Sequence, residues 1–254
     1  MAEPFSVPSP WVIAHRGYSG EYPENTMLAF RKAIEAGADW IELDVTLSLD
    51  RQIVVIHDDT LDRTTDLSGP VRDFTFDLIR TADAGSWKGR HFAKEPVPDL
   101  WSVWESVLKS DLGLNIEIKS SAYESEPKGK SIEHSLVDFA NSKSAFSRTL
   151  FSSFCWDSLA RIRELSFEAR LGVLIGGETP AWEEALELAF RLNAFSLNLS
   201  SSIASREVVE KIQSEGFKVF VYTLNSIEEL KTGILNGVDG IFTNYPPSMR
   251  SLLT

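Results

Sequence analysis

The segment Asp44-Val-Thr-Leu-Ser-Leu-Asp-Arg-Gln-Ile-Val-Val-Ile-His57 decides the fold. It contains two apolar runs with no room for a helix between them. It reads as one long strand that turns at Asp50-Arg51 and returns antiparallel. A two-residue turn pairs Leu49 with Gln52 and carries Asp44 opposite His57. Outside this segment, short apolar runs alternate with amphipathic stretches. Strands are expected at Trp11–Ala14, Trp40–Val45, Leu114–Ile118, Leu150–Ser153, Leu171–Leu174, Phe195–Leu199, Val219–Tyr222 and Gly240–Thr243, with Ile53–His57 as the returning strand. Helical spacing appears at Thr26–Ala36, Ile132–Ala140, Asp157–Leu165, Trp182–Phe190, Ser205–Glu215 and Ser226–Leu235. Such alternation implies βαβ units and a parallel sheet. Setting the returning strand aside leaves eight parallel strands, the number of a (β/α)8 TIM barrel. An open doubly wound sheet is the weaker reading, because no Gly-rich fingerprint follows any strand.

Residues 58–98 break the alternation. They are rich in Asp, Thr, Gly and Pro. A structureless loop of that length is improbable in a compact domain. The expectation is a small inserted subdomain over the barrel mouth, within a single domain spanning residues 1–254. Composition narrows the function classes. The chain of 254 residues has a formal net charge of -12, from 25 Lys+Arg against 37 Asp+Glu. That balance argues against nucleic-acid partners and anionic membranes. The single cysteine, Cys155, excludes a disulfide framework and a Cys-rich zinc site. No apolar run reaches the ~18 residues of a membrane span, so no membrane insertion is expected. Met1–Pro10 lacks a basic and an apolar region, so a cytoplasmic protein is expected; for its assembly, a monomer or a homodimer is the expectation.

In a barrel, chemistry sits at the C-terminal strand ends. The first strand ends in His15 and Arg16. Glu42 and Asp44 lie two apart on the second and share a face; Glu117 and Lys119 do so on the next barrel strand. The hairpin returns His57 and Asp58 to the same mouth. Converging buried carboxylates repel each other unless a cation pairs them. All-oxygen ligation favours Mg²⁺ or Ca²⁺ over zinc. Two histidines beside such a cation suit proton transfer, and Arg16 and Lys119 suit an anionic group. The set reads as phosphodiester hydrolysis on a small anionic substrate. His91 and His134 read as solvated, and Cys155 as a structural thiol.

These residues carry a resemblance. Val12-Ile-Ala-His-Arg-Gly17, Pro23-Glu-Asn-Thr26, Ile41-Glu-Leu-Asp-Val45, Val54-Val-Ile-His-Asp58 and Ile116-Glu-Ile-Lys119 are similar to the motif set of the glycerophosphodiester phosphodiesterases, barrels of the phosphatidylinositol phospholipase C type. Gly237-Val-Asp-Gly-Ile-Phe-Thr243 resembles the family's last strand. The resemblance implies that Glu42, Asp44 and Glu117 bind one divalent cation. It implies His15 and His57 as the acid/base pair, with Arg16 and Lys119 on the phosphate. Glu24 and Asn25 then shape the rim, and Ser153 and Phe154 match a strand ending. Tyr222 stands where the family often has Trp, and Asn244 where it usually has Asp. Phe154, Tyr222 and Asn244 are therefore candidates for the substrate pocket. The implied activity is metal-dependent release of sn-glycerol 3-phosphate and an alcohol. The base is assigned to His15 and the acid to His57, held by a carboxylate such as Asp44. A lysophospholipase D-type diesterase would need an apolar groove, for which Phe74, Phe76, Trp87 and Phe92 are candidates. A catalytically silent metal- or phosphate-binding barrel would be expected to lack a histidine or a carboxylate of this set.

Overall fold

The structure, a computed structural model, describes residues 10–176 and 181–253. The opening segment read above for targeting signals lies, up to Ser9, outside the described residues. The strands are β1 (Trp11–Ala14), β2 (Trp40–Leu47), β3 (Ile53–Val55), β4 (Gly113–Ile118), β5 (Thr149–Ser153), β6 (Arg170–Ile175), β7 (Ser196–Ser200), β8 (Lys218–Tyr222) and β9 (Gly240–Thr243). The sheet runs β1-β9-β8-β7-β6-β5-β4-β2-β3, and β1 also pairs with β2. That pairing closes eight parallel strands into a TIM barrel and leaves β3 as an antiparallel extra. The described α-helices are α1 (Met27–Glu35), α2 (Phe76–Ile79), α3 (Leu100–Leu108), α4 (Ile132–Ser142), α5 (Trp156–Leu165), α6 (Trp182–Leu192), α7 (Arg206–Ser214), α8 (Ile227–Leu235) and α9 (Pro246–Leu253), with short 3-10 turns between some of them. None of the described helices is long and apolar enough to cross a membrane.

Three of the described helices, α2, α3 and α9, are not among those expected from periodicity; α2, with four residues, is too short to show one. α3 buries Leu100, Val103, Trp104 and Val107 at helical spacing and leaves Ser102 and Glu105 exposed, so its stripe is regular; it begins directly after the irregular 58–98 segment, which hides its start. Asp99 starts it by accepting from the Ser102 amide at 2.9 Å. α9 opens on Pro246-Pro247, which reads as a breaker but is tolerated in the first turn, where amides have no helical partner.

The hairpin corrects the expected register. Val45 pairs with Val55, Thr46 with Val54 and Leu47 with Ile53. The turn has three residues, Leu49-Asp50-Arg51, closed by the Ser48 amide donating to Gln52 O at 3.0 Å. Arg51 takes the left-handed position at φ 61, which a three-residue hairpin needs at its end. No glycine is present, and Arg51 is anchored instead by an ion pair to Glu124 at 2.8 Å. The one-residue change puts Ile56, not His57, opposite Asp44: the Ile56 amide donates to Asp44 O at 3.1 Å.

The bottom of the barrel is sealed by aromatics. Trp11, Trp40, Phe220 and Phe242 are buried in one cluster with Ile13 and Leu150. Trp11 stacks on Phe195 at 6.2 Å between ring centroids and lies 5.9 Å from Trp40. Gly113 is required there, since a side chain would meet the Trp40 ring at 2.4 Å. Residues of the 58–98 segment form a second small core, with Leu61, Val71, Ile79 and Val97 packed on Val54 and Ile56 of the hairpin.

Candidate active site

Alternation along β2 turns Glu42 and Asp44 the same way. The parallel register of β2 and β4 sets Asp44 beside Glu117 and Glu42 beside Asn115. One oxygen from each of Glu42, Asp44 and Glu117 lies within 4.8 Å of the others. Glu42 and Asp44 are each 1% exposed. Burial, together with Asp44 and Glu117, pushes the Glu42 carboxyl well above its usual range. Burial and Asp44 raise Glu117 as well. Burial would raise Asp44 too, but Arg16, Lys119 and His57 outweigh it and hold it at about 2. Glu42 Oε1 is buried without a hydrogen-bond partner. An orphaned carboxylate oxygen among three crowded carboxyls is the donor set a hard divalent cation fits.

The loop after β1 is shaped to serve these carboxylates. Arg16 adopts a left-handed conformation at φ 55, which aims its amide at Glu42 Oε2, 2.8 Å away. Gly17 follows at φ 78, where a side chain would meet the Ala29 backbone at 2.7 Å. The Arg16 guanidinium donates to Glu24 Oε1 at 2.9 Å. Its Nε lies 3.3 Å from Asp44 Oδ2, paired in charge but not aligned for a hydrogen bond. Asn25 is not only a rim residue. It is buried, and its Nδ2 donates to Asp44 Oδ2 at 2.9 Å. Thr26 then caps α1 by accepting from the Ala29 amide. Lys119 reaches Glu117 at 2.9 Å and Asp44 at 3.4 Å.

The two histidines have different partners. His15 Nδ1 lies 2.7 Å from Asn244 Oδ1, an acceptor, which places the hydrogen on Nδ1. Its Nε2 lies 4.0 Å from Glu42 Oε2. Burial, then Arg16, lowers His15 to about 4, so the ring is neutral at pH 7. His57 Nδ1 meets Asp58 Oδ1 at 2.6 Å, so its partner is the next residue and not Asp44. This follows from the hairpin register, which ends β3 before His57 reaches Asp44. Asp58 in turn accepts from Arg63 Nε at 2.6 Å. Hydrogen bonds from Arg63 and His57 hold Asp58 well below the usual carboxylate range.

One cavity of ≈ 230 Å³ is lined by His15, Arg16, Glu42, His57, Glu117 and Lys119, with Phe154, Tyr222, Phe242 and Leu174 on its apolar side. Phe154 meets Tyr222 edge-on at 6.0 Å, and the Tyr222 hydroxyl donates to Ile175 O at 2.6 Å. Asn244 touches the site through His15 and is not among the lining residues. The insertion aromatics weighed for an acyl groove lie elsewhere. Phe74 and Phe76 pack on the small core, Phe92 lies 5.8 Å from Tyr22, and Trp87 donates to Ala84 O. His91 is exposed against Phe92, and His134 sits at the start of α4 near Ser131, both outside the cavity. Sequence reasoning missed Arg63 altogether. Its only signal is position, five residues beyond Asp58.

The family model described as the glycerophosphoryl diester phosphodiesterase family matches residues 15–248. A glycerophosphodiester phosphodiesterase of Caldanaerobacter subterraneus subsp. tengcongensis is 39% identical over 244 residues, covering 95% of this chain and 97% of the relative. Among solved structures, an Oleispira antarctica phosphodiesterase in complex with the product sn-glycerol-3-phosphate superposes with a TM-score of 0.81. It is 32% identical and covers 96% of each chain. The Thermotoga maritima glycerophosphodiester phosphodiesterase gives a TM-score of 0.74 at 30% identity, over 95% of this chain and 97% of that one. With a barrel of the same shape and a family match from the first histidine to the last helix, this chain belongs to the glycerophosphoryl diester phosphodiesterase family.

Proposed function

We propose that the protein hydrolyses a glycerophosphodiester to sn-glycerol 3-phosphate and an alcohol, using one divalent cation, Mg²⁺ or Ca²⁺. The observation that supports this most is the convergence of Glu42, Glu117, two histidines and two cationic side chains on one cavity, with Asp44 buried against the two carboxyls. Glu42, Asp44 and Glu117 would hold the cation, which supplies positive charge for the phosphoryl oxygens when bound. The three carboxylates outnumber Arg16 and Lys119 by one charge, and a divalent ion turns that deficit into a surplus of one. An acidic protein thereby acquires a local site for a singly charged diester.

His15 suits the base. Its Nδ1 hydrogen is committed to Asn244, which leaves the Nε2 lone pair toward the cavity. It takes the proton of the attacking hydroxyl, either water or the neighbouring hydroxyl of the glycerol. His57 suits the acid. Asp58 fixes its ring and supports the positive charge a proton donor carries before it protonates the leaving alkoxide. Phe154, Tyr222 and Phe242 offer the carbon skeleton of the substrate an apolar wall.

The test is a coupled assay of sn-glycerol 3-phosphate release from a panel of glycerophosphodiesters, after chelation and with Mg²⁺ or Ca²⁺ restored. Release that stops on chelation and returns with cation is expected. Undiminished release in chelator would remove the metal from the proposal. Faster turnover of lysophosphatidylcholine than of glycerophosphocholine would reassign the substrate to lysophospholipids.

A further inference from the structure

The 58–98 segment places one guanidinium between the two halves of the site. Arg63 Nε and NH2 reach Asp58 Oδ2 and Oδ1 at 2.6 and 3.0 Å, and its NH1 and NH2 reach Glu24 Oε2 and Oε1 at 2.9 and 2.8 Å. Both edges of the planar fork are thus engaged, each by a carboxylate. Asp58 passes the contact to His57 Nδ1, and Glu24 passes it to Arg16 NH1 at 2.9 Å. The result is one chain of alternating charge, His57–Asp58–Arg63–Glu24–Arg16, whose ends both line the cavity. The backbone carrying Arg63 is pinned from below. Leu61 is fully buried in the small core, and its amide donates to Gly69 O at 2.9 Å. Arg63 itself is absent from the cavity lining.

We propose that Arg63 is a positioning residue, by which the inserted segment sets the orientation of the acid histidine through Asp58 and of the phosphate-facing arginine through Glu24. Carboxylates on loops hold no fixed geometry without partners, because their side chains keep rotamer freedom. A bidentate arginine between two of them removes that freedom at both ends. Lysine cannot substitute, since a single ammonium cannot form two planar forks. Asp44 and Glu117 also act on His57 through their charge, but neither is hydrogen-bonded to its ring; among the described residues its ring is held by Asp58.

The kinetic part of the test rests on the reading of His57 as proton donor; the spectroscopic part does not. Arg63→Ala and Arg63→Lys are compared with the wild-type protein in the presence of Mg²⁺ or Ca²⁺. Loss of a residue that orients a site residue costs about 10–100-fold, so kcat is expected to fall by that factor in both variants, with KM within about threefold. In ¹H–¹⁵N NMR, the His57 Nδ1 proton in its short bond to Asp58 gives a far-downfield signal in the wild type. That signal is expected to broaden or vanish in Arg63→Ala. A kcat within threefold of wild type in either variant would overturn the proposal, as would an unchanged His57 signal in a folded Arg63→Ala. If the wild type releases no glycerol phosphate, the diesterase reading fails, and the NMR comparison alone still decides the role of Arg63.

Discussion

At the N-terminal ends of the strands, Asp39 accepts from the Val12 amide at 2.8 Å and pairs with Arg250, while Asp239 accepts from the Val219 amide at 2.9 Å and pairs with Lys218. At the C-terminal ends, Glu42, Asp44 and Glu117 face one another, and one carboxylate oxygen has no partner at all. The same strands connect both ends. Below, each charge closes a local backbone gap and is answered by a cation, over a seal of Trp11, Trp40 and Phe220. Above, like charges are forced together by strand register, and the rest of the fold must hold them there. The difference separates residues that keep the barrel closed from residues gathered at the mouth, where barrel chemistry sits.

Substitutions at either end, and a change of pH, press on that separation. Trp40→Ala empties the bottom seal and should cost ~3–5 kcal/mol in a urea titration. The specific activity of the folded fraction should stay near wild type. An activity loss beyond the folded fraction would show that the two ends are coupled. His15→Ala and His57→Ala act in reverse. Each should lower turnover by ~10²-fold or more while shifting stability by less than ~1 kcal/mol. Near-wild-type rates in both would sink the acid/base assignment. The smallest effect is on pH dependence. His15 stays neutral in the fold down to about 4, against an ordinary value of 6.5 in the unfolded chain. Between those values the unfolded state binds more protons, so stability falls as pH drops, by ~2 kcal/mol from pH 7 to pH 5. The raised Glu42 and Glu117 pull the opposite way in cation-free protein, because there the folded state takes protons first. The His15 contribution is therefore read as a difference. His15→Gln should be less destabilised than wild type on going from pH 7 to pH 5. Parallel pH curves for the two proteins would rule out a buried, neutral His15.

Much of the molecule is legible along the chain. β1 and β9 fall on the residues their apolar runs mark, and the helices with a clear polar face lie where their spacing puts them. The period of two places Glu42 with Asp44, and Glu117 with the same interior, without any knowledge of the fold. α3 carries a regular apolar stripe, Leu100, Val103, Trp104 and Val107, and is hidden only by the irregular segment it follows. The hairpin register is not legible because Arg51 fills a position that usually signals itself with glycine. Asn25 and Arg63 are not legible for another reason. Both act through side chains of other segments, Asn25 on Asp44 and Arg63 on Asp58 and Glu24, and nothing in their own neighbourhoods encodes those contacts.

Local physics therefore accounts for the elements. Hydrophobic period and strand–helix alternation are properties of a few consecutive residues, so the sequence by itself determined an eight-stranded α/β barrel, its extra strand and the acidic, histidine-bearing strand ends. Strand register and packing set Asp44 beside Glu117, His57 on Asp58, and Arg63 between Glu24 and Asp58. Those are choices among partners that stand from 1 to 73 positions apart. They are settled by inter-strand register and by the packing of Leu61 and Val71 into the small core, neither of which any short window of sequence contains.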